Sequence, residues 1–134
     1  RHDVSRLILI AGGIGITPML SVLRQLREEK SALPVKLVWT FQSRAGAPCL
    51  DEIADLRQFL PGFEFVAVAT RESSVDVEAH RRLDKQALTK IMPEYQPGTM
   101  VMVCGPAPMM LAIRRDLMAM GYPQRAILSE EFAF

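Results

Sequence analysis

An apolar run, Leu7-Ile8-Leu9-Ile10, passes without a break into Ala11-Gly12-Gly13-Ile14-Gly15-Ile16-Thr17-Pro18. Consecutive large aliphatic residues mark a strand buried on both faces, and the glycines end it in a turn. Thr17 then reads as a helix cap and Pro18 as a residue of the first helical turn. A strand, a glycine turn and a helix in that order commit the chain to an α/β architecture. Glycines at 12, 13 and 15 let the backbone come close to a ligand that side chains would exclude. The helix start adds unpaired N–H groups and the positive end of a dipole, which suits a phosphate or pyrophosphate.

The same alternation runs through the rest of the chain. Short segments rich in Val, Ile, Leu and Phe predict strands at Ser5–Ala11, Val35–Phe41, Glu64–Ala69, Thr99–Cys104 and Ala126–Ser129. Helical periodicity falls between them, at Pro18–Glu29 (with Leu20, Leu23 and Leu26 on one stripe), Asp51–Phe59, Asp84–Ile91 and Pro106–Met120. Pro34, Pro61-Gly62, Pro97-Gly98 and Gly121-Tyr122-Pro123 punctuate the joins. The pattern predicts a doubly wound, five-stranded parallel sheet with helices on both faces, in one domain spanning residues 1–134. Ligands of such sheets bind beyond the carboxyl ends of the strands, where the strand order reverses. Ser73–Arg82 is the one long polar stretch and reads as a surface loop.

Composition narrows the partners. With 16 basic and 15 acidic residues the net charge is +1, which predicts neither nucleic-acid nor membrane binding. No apolar run approaches the roughly 20 residues of a membrane span. Cys49 and Cys104 lie far apart with no metal-type spacing, a usage that fits a reducing, cytoplasmic compartment. No metal site is expected. The abrupt start at Arg1-His2-Asp3 and the apolar tail Glu131-Phe132-Ala133-Phe134 read as cut ends, so a fragment of a larger protein is expected.

The glycine turn is a poor match to the dinucleotide fingerprint G-x-G-x-x-G. Pro18 stands where the third glycine belongs, and Phe41-Gln42-Ser43-Arg44 replaces the acidic residue that would hold a ribose 2′-hydroxyl. A P-loop is excluded because no Gly-Lys-Ser/Thr follows. Ser43, Arg44, Thr70 and Arg71 follow predicted strand ends, where arginine grips phosphate in two-pronged fashion. A surface ion pair, such as Arg71 with Glu72, is the alternative reading for either arginine. Cys104-Gly105-Pro106-Ala107-Pro108-Met109-Met110 closes the fourth strand and opens the longest helix. Cys104 reads either as a core thiol or as a site residue. Met109, Met110, Met118 and Met120 read as helix packing, and Trp39, mid-strand, reads as core.

Taken together, A-G-G-x-G-x-T-P, S-R after strand two, T-R-E after strand three, C-G-P-x-x-M-M after strand four and E-x-F at the end resemble one family. It is the NAD(P)-binding domain of the ferredoxin–NADP reductase superfamily, nearest its flavin-dependent electron-transfer reductases of oxygenases and flavohaemoglobins. The resemblance spans Leu7 to Phe132.

It implies that Gly12, Gly13 and Gly15, with Pro18, face the pyrophosphate, and that Thr17 stands at the flavin–nicotinamide junction. Ser43, Arg44, Thr70 and Arg71 would lie on the adenosine side, while Gly105, Pro106 and Met110 line the cleft. Cys104 would flank the nicotinamide, and Glu130 and Phe132 would approach the flavin. Glu131 and Phe134 are second candidates for the last two roles. The implied reaction is hydride transfer from NADH or NADPH to FAD or FMN, then single-electron delivery to an iron–sulfur or haem acceptor. It requires stacked rings with reacting atoms about 3–3.5 Å apart and water excluded, with little acid–base help. The family's flavin is held by a separate β-barrel domain upstream, carrying an Arg-x-Tyr-Ser/Thr motif that is absent from these residues. The rival class is a non-catalytic nucleotide-binding regulatory module.

Overall fold

A computed structural model describes residues 4–41, 50–69 and 83–131. Strands β1 (Arg6–Gly12), β2 (Val35–Phe41), β3 (Phe63–Ala69), β4 (Thr99–Gly105) and β5 (Ile127–Glu131) form one sheet in the order β3-β2-β1-β4-β5. Every pairing is parallel. Helices α1 (Ile16–Glu28), α2 (Leu50–Leu56), α3 (Lys85–Ile91) and α4 (Ala107–Ala119) supply the crossovers.

Strand side chains alternate between two core layers, as the period of two demands. Leu7, Leu9, Ala11, Leu37, Trp39 and Cys104 pack with α1 and α2. Ile8, Ile10, Val38, Val101 and Val103 pack with α4 and with Leu88 of α3. Ile8, Leu9 and Ile10 have no exposed surface; burying each contributes about 1.5–3 kcal/mol. That is why the opening run is almost wholly aliphatic. The doubly wound, five-stranded parallel sheet expected from the alternation is the observed fold.

Most boundaries shift from the sequence expectation by a residue or so, and three departures have a clear physical cause. Gly13–Gly15 forms a 3-10 turn that runs directly into α1, so the helix begins at Ile16 and is entered through Gly15. Thr17 therefore lies inside the first turn and makes no capping bond, because the chain is already helical when it reaches Gly15 (φ −59°, ψ −9°). Helix α2 ends at Leu56, not Phe59; the ring of Phe59 is instead half-exposed beneath the Arg27 guanidinium, 3.8 Å away. Pro106, expected within the last helix, is extended (φ −61°, ψ 146°) and caps α4 from outside. No helix among the described residues is long and apolar enough to cross a membrane.

The strand order reverses at β1, which pairs with β2 on one side and β4 on the other. The predicted ligand edge is thus the carboxyl end of β1 and β4, where Ala11 lies level with both Trp39 and Cys104.

Candidate functional site

Among the described residues, a cavity opens on each face of the sheet at this edge. The larger, about 810 Å³, lies on the α3–α4 face. Its floor is Gly12, Gly13, Thr40 and Phe41, and its walls include Pro106, Met109, Ala112 and Asp116 from α4 and its cap, with Asp84 and Lys85 at the start of α3. The smaller, about 200 Å³, lies on the α1 face between Pro18, Met19, Met102, Cys104, Leu128 and Glu130.

The three glycines of that turn have three different surroundings. Gly13 adopts φ +56°, and a Cβ there would meet nothing within 4 Å; this is the glycine that opens to the cleft, in a conformation other residues enter at a cost. A Cβ on Gly15 would lie 2.2 Å from the Cys104 carbonyl oxygen, so its bareness serves the contact between turn and β4. A Cβ on Gly12 would lie 2.1 Å from the Met109 sulfur, which also closes over Gly105 at 3.0 Å from a Cβ there. Gly12 and Gly13 both line the larger cavity, Gly12 beneath the Met109 thioether, while Gly15 is closed off against the end of β4.

The expected cleft residue Met110 is buried in the α4 core layer with Ile113 and Leu117. Its neighbour Met109 lines the cleft instead. The helical period explains the exchange: positions 110, 113 and 117 face the sheet, which turns 109, 112 and 116 toward the opening. Thr17 is exposed and lines neither cavity. Ser43, Arg44, Thr70, Arg71 and Phe132 lie outside the described residues, and so do Cys49 and Ser73–Arg82 apart from their sequence.

Cys104 is 1% exposed and unpaired. It sits opposite Glu130 in the register of β4 and β5, with both residues lining the smaller cavity. Burial, and secondarily the Glu130 charge, pushes its thiol above the ordinary cysteine value. Both effects disfavour the thiolate, the form in which a cysteine acts as a nucleophile. In the larger cavity the acids are already engaged. Asp84 accepts the Ala87 N–H at 2.9 Å as the cap of α3, and buried Asp116 accepts from Arg115 Nε at 3.2 Å.

Residues to which the sequence reading gave no binding role complete the site: Thr40, Phe41, Met109, Asp84 and Lys85 line it, and Trp39 stands behind it. For Met109 the helical phase of α4 was the available signal. For Trp39 none existed, since its partner is a backbone atom 26 positions away.

The sequence matches the family described as oxidoreductase NAD-binding domain over residues 9–115. It is 29% identical over 127 residues to flavohemoprotein A of Dictyostelium discoideum, covering 94% of this chain and 30% of that protein. It is 27% identical over 128 residues to the reductase component of propane 2-monooxygenase from Mycolicibacterium smegmatis, covering 93% of this chain and 37% of the relative. The fold superposes on a flavohemoglobin from Malassezia yamatoensis, solved with bound FAD and heme, with a TM-score of 0.85 and 28% identity. That match covers 98% of this chain and 32% of the other. The chain thus spans about a third of the length of these relatives.

Proposed function

The chain belongs to the oxidoreductase NAD-binding domain family, and from that premise we propose that it is the nicotinamide-nucleotide half of a flavin-dependent NAD(P)H oxidoreductase. The observation that carries the reading is the pair of cavities on either side of the Gly13 turn, one lined by α4 and the other by Cys104 and Glu130. Gly13, exposed and at positive φ, offers backbone donors to the pyrophosphate. The larger cavity takes the adenosine half, between Phe41 and the α4 wall. Arg44 and Arg71 follow β2 and β3 in sequence, on the adenosine side, and serve ribose or 2′-phosphate recognition.

The nicotinamide lies toward Cys104, whose buried neutral thiol packs against the ring without competing for hydride or proton. Glu130 stands on β5, with Phe132 following it in sequence, at the edge where a flavin-binding domain, upstream in the same protein, docks. Flavin supplies the two-electron acceptor and the route to one-electron transfer toward an iron–sulfur or haem partner. The reductase components and flavohemoproteins among the relatives support a reductase role.

The test is direct titration of the purified chain with NADH and NADPH at two salt concentrations. Saturable binding of either coenzyme is expected, with no flavin carried by this segment alone. Absence of binding to both, or stoichiometric flavin in the purified chain, would overturn the reading. A 2′-phosphate site predicts NADPH preference that weakens as salt rises, and Arg44→Ala and Arg71→Ala should each weaken that preference.

A further inference from the structure

Trp39 is the only tryptophan of the chain and is 2% exposed on β2, facing α1. Its indole N–H donates to the Gly13 carbonyl oxygen at 2.9 Å. The same oxygen accepts the backbone N–H of Ile16, so both of its lone pairs are engaged within the protein. The Gly13–Ile14 peptide is trans, and in a trans peptide the C=O and N–H point in opposite directions. Drawing the carbonyl inward therefore turns the Ile14 N–H outward. Outward is solvent and cleft: Gly13 lines the larger cavity, its missing Cβ faces open space, and Ile14 is 59% exposed.

Glycine turns have more backbone freedom than any other. A flip of the Gly13–Ile14 peptide would aim a carbonyl oxygen at the place where an anion has to sit and withdraw a donor from it. The indole bond opposes that flip. On its other side the Trp39 ring meets Phe41 edge to face, with centroids 5.0 Å apart, and Phe41 lines the same cavity. One side chain thus braces the turn and the floor beside it.

We infer that Trp39 is a positioning residue for pyrophosphate recognition, its indole N–H locking the Gly13–Ile14 peptide with the donor side toward the anion. The inference rests on the nucleotide reading above and adds to it a residue that touches no ligand.

The test compares the unaltered chain with Trp39→Phe, which keeps a ring against Phe41 and removes the donor, using ADP-ribose as the probe. The dissociation constant should rise about three- to tenfold, the worth of one hydrogen bond. In nitrogen-15 spectra of the unaltered chain, the single indole N–H and the Ile14 amide should both shift as ADP-ribose is added. A packing role alone would leave the affinity of Trp39→Phe unchanged, since that variant keeps the ring against Phe41. Unchanged affinity in Trp39→Phe overturns the inference. So does an Ile14 amide that ignores ADP-ribose, and this second measurement decides the matter if the variant fails to fold. Failure of the unaltered chain to bind ADP-ribose would remove the nucleotide reading itself, and this inference with it.

Discussion

Gly15 and Cys104 are in backbone contact: a methyl group added to Gly15 would stand 2.2 Å from the Cys104 carbonyl oxygen. This contact seats the start of α1 on the end of β4 and sets the gap between the two cavities. Gly15→Ala must push strand and turn apart, a rigid overpacking that costs about 1–3 kcal/mol, or roughly 5–10 °C in melting temperature. Gly13→Ala meets no neighbour and pays only for its left-handed backbone, about 1 kcal/mol. Its new methyl projects into the space assigned to the pyrophosphate, so its larger effect should be on nucleotide affinity. Calorimetric melting and coenzyme titration of both variants check the division; Gly13→Ala melting below Gly15→Ala would show that these roles are reversed.

Tyr122 is 2% exposed, and its hydroxyl donates to the Pro93 carbonyl at 2.6 Å, tying the end of α4 to the segment after α3. Tyr122→Phe leaves that carbonyl without its partner and should cost about 1–2 kcal/mol. Burial raises the Tyr122 phenol above its ordinary value of 10.0. Because the folded value is the higher one, the associated stability is fully present below pH 10 and lost as pH rises through the folded value. Melting curves between pH 8 and 11 should therefore fall more steeply for the unaltered chain than for Tyr122→Phe.

The Cys104 thiol, raised by burial and by Glu130 above 9.0, follows the same sign: its share of stability is intact below pH 9 and lost above. Its low thiolate fraction and its burial predict slow chemistry. In a Cys49→Ala background, alkylation at pH 8 should run at least about tenfold slower than for a free cysteine. Alkylation at the free-cysteine rate, measured by mass spectrometry, would mean that the edge of β4 opens readily.

Arg24 grips both oxygens of Glu52, at 2.6 and 2.7 Å, joining α1 to α2. The hydrogen bonds from Arg24 hold the Glu52 carboxyl below its ordinary 4.5. The resulting stability is present above that pH and disappears as pH falls through the lower folded value. Both side chains are substantially exposed, so Glu52→Gln should cost less than about 1 kcal/mol. The difference in melting temperature should shrink at pH 3 and in about 0.5 M salt.

Much of the fold was legible because a parallel sheet writes itself locally. The aliphatic runs at Leu7–Ile10 and Val101–Val103 have no polar residue to place on a solvent face, and the helices between them carry one apolar stripe each. The expected and observed strands overlap throughout, with shifts such as β5 beginning at Ile127 because Gln124–Ala126 forms a 3-10 turn. The carboxyl edge was legible for the same reason, since strand direction and order of motifs bring Gly13 and Cys104 to one end. What was not legible were contacts made across space by atoms with no sequence period. Examples are Met109 closing over Gly12, and the Cys104 carbonyl filling the gap at Gly15.

The sequence by itself determined the architecture, the sheet edge at which the glycine turn and Cys104 meet, and the family, because alternation of apolar residues and the spacing of glycine motifs are properties of the chain read in order. The tertiary structure alone decided which glycine of the turn faces open space, which methionine walls the cleft, and that Trp39 bonds the turn. Those outcomes depend on which atoms occupy the volume beside each backbone group, and that volume is filled by residues distant in sequence once the strands and helices have packed.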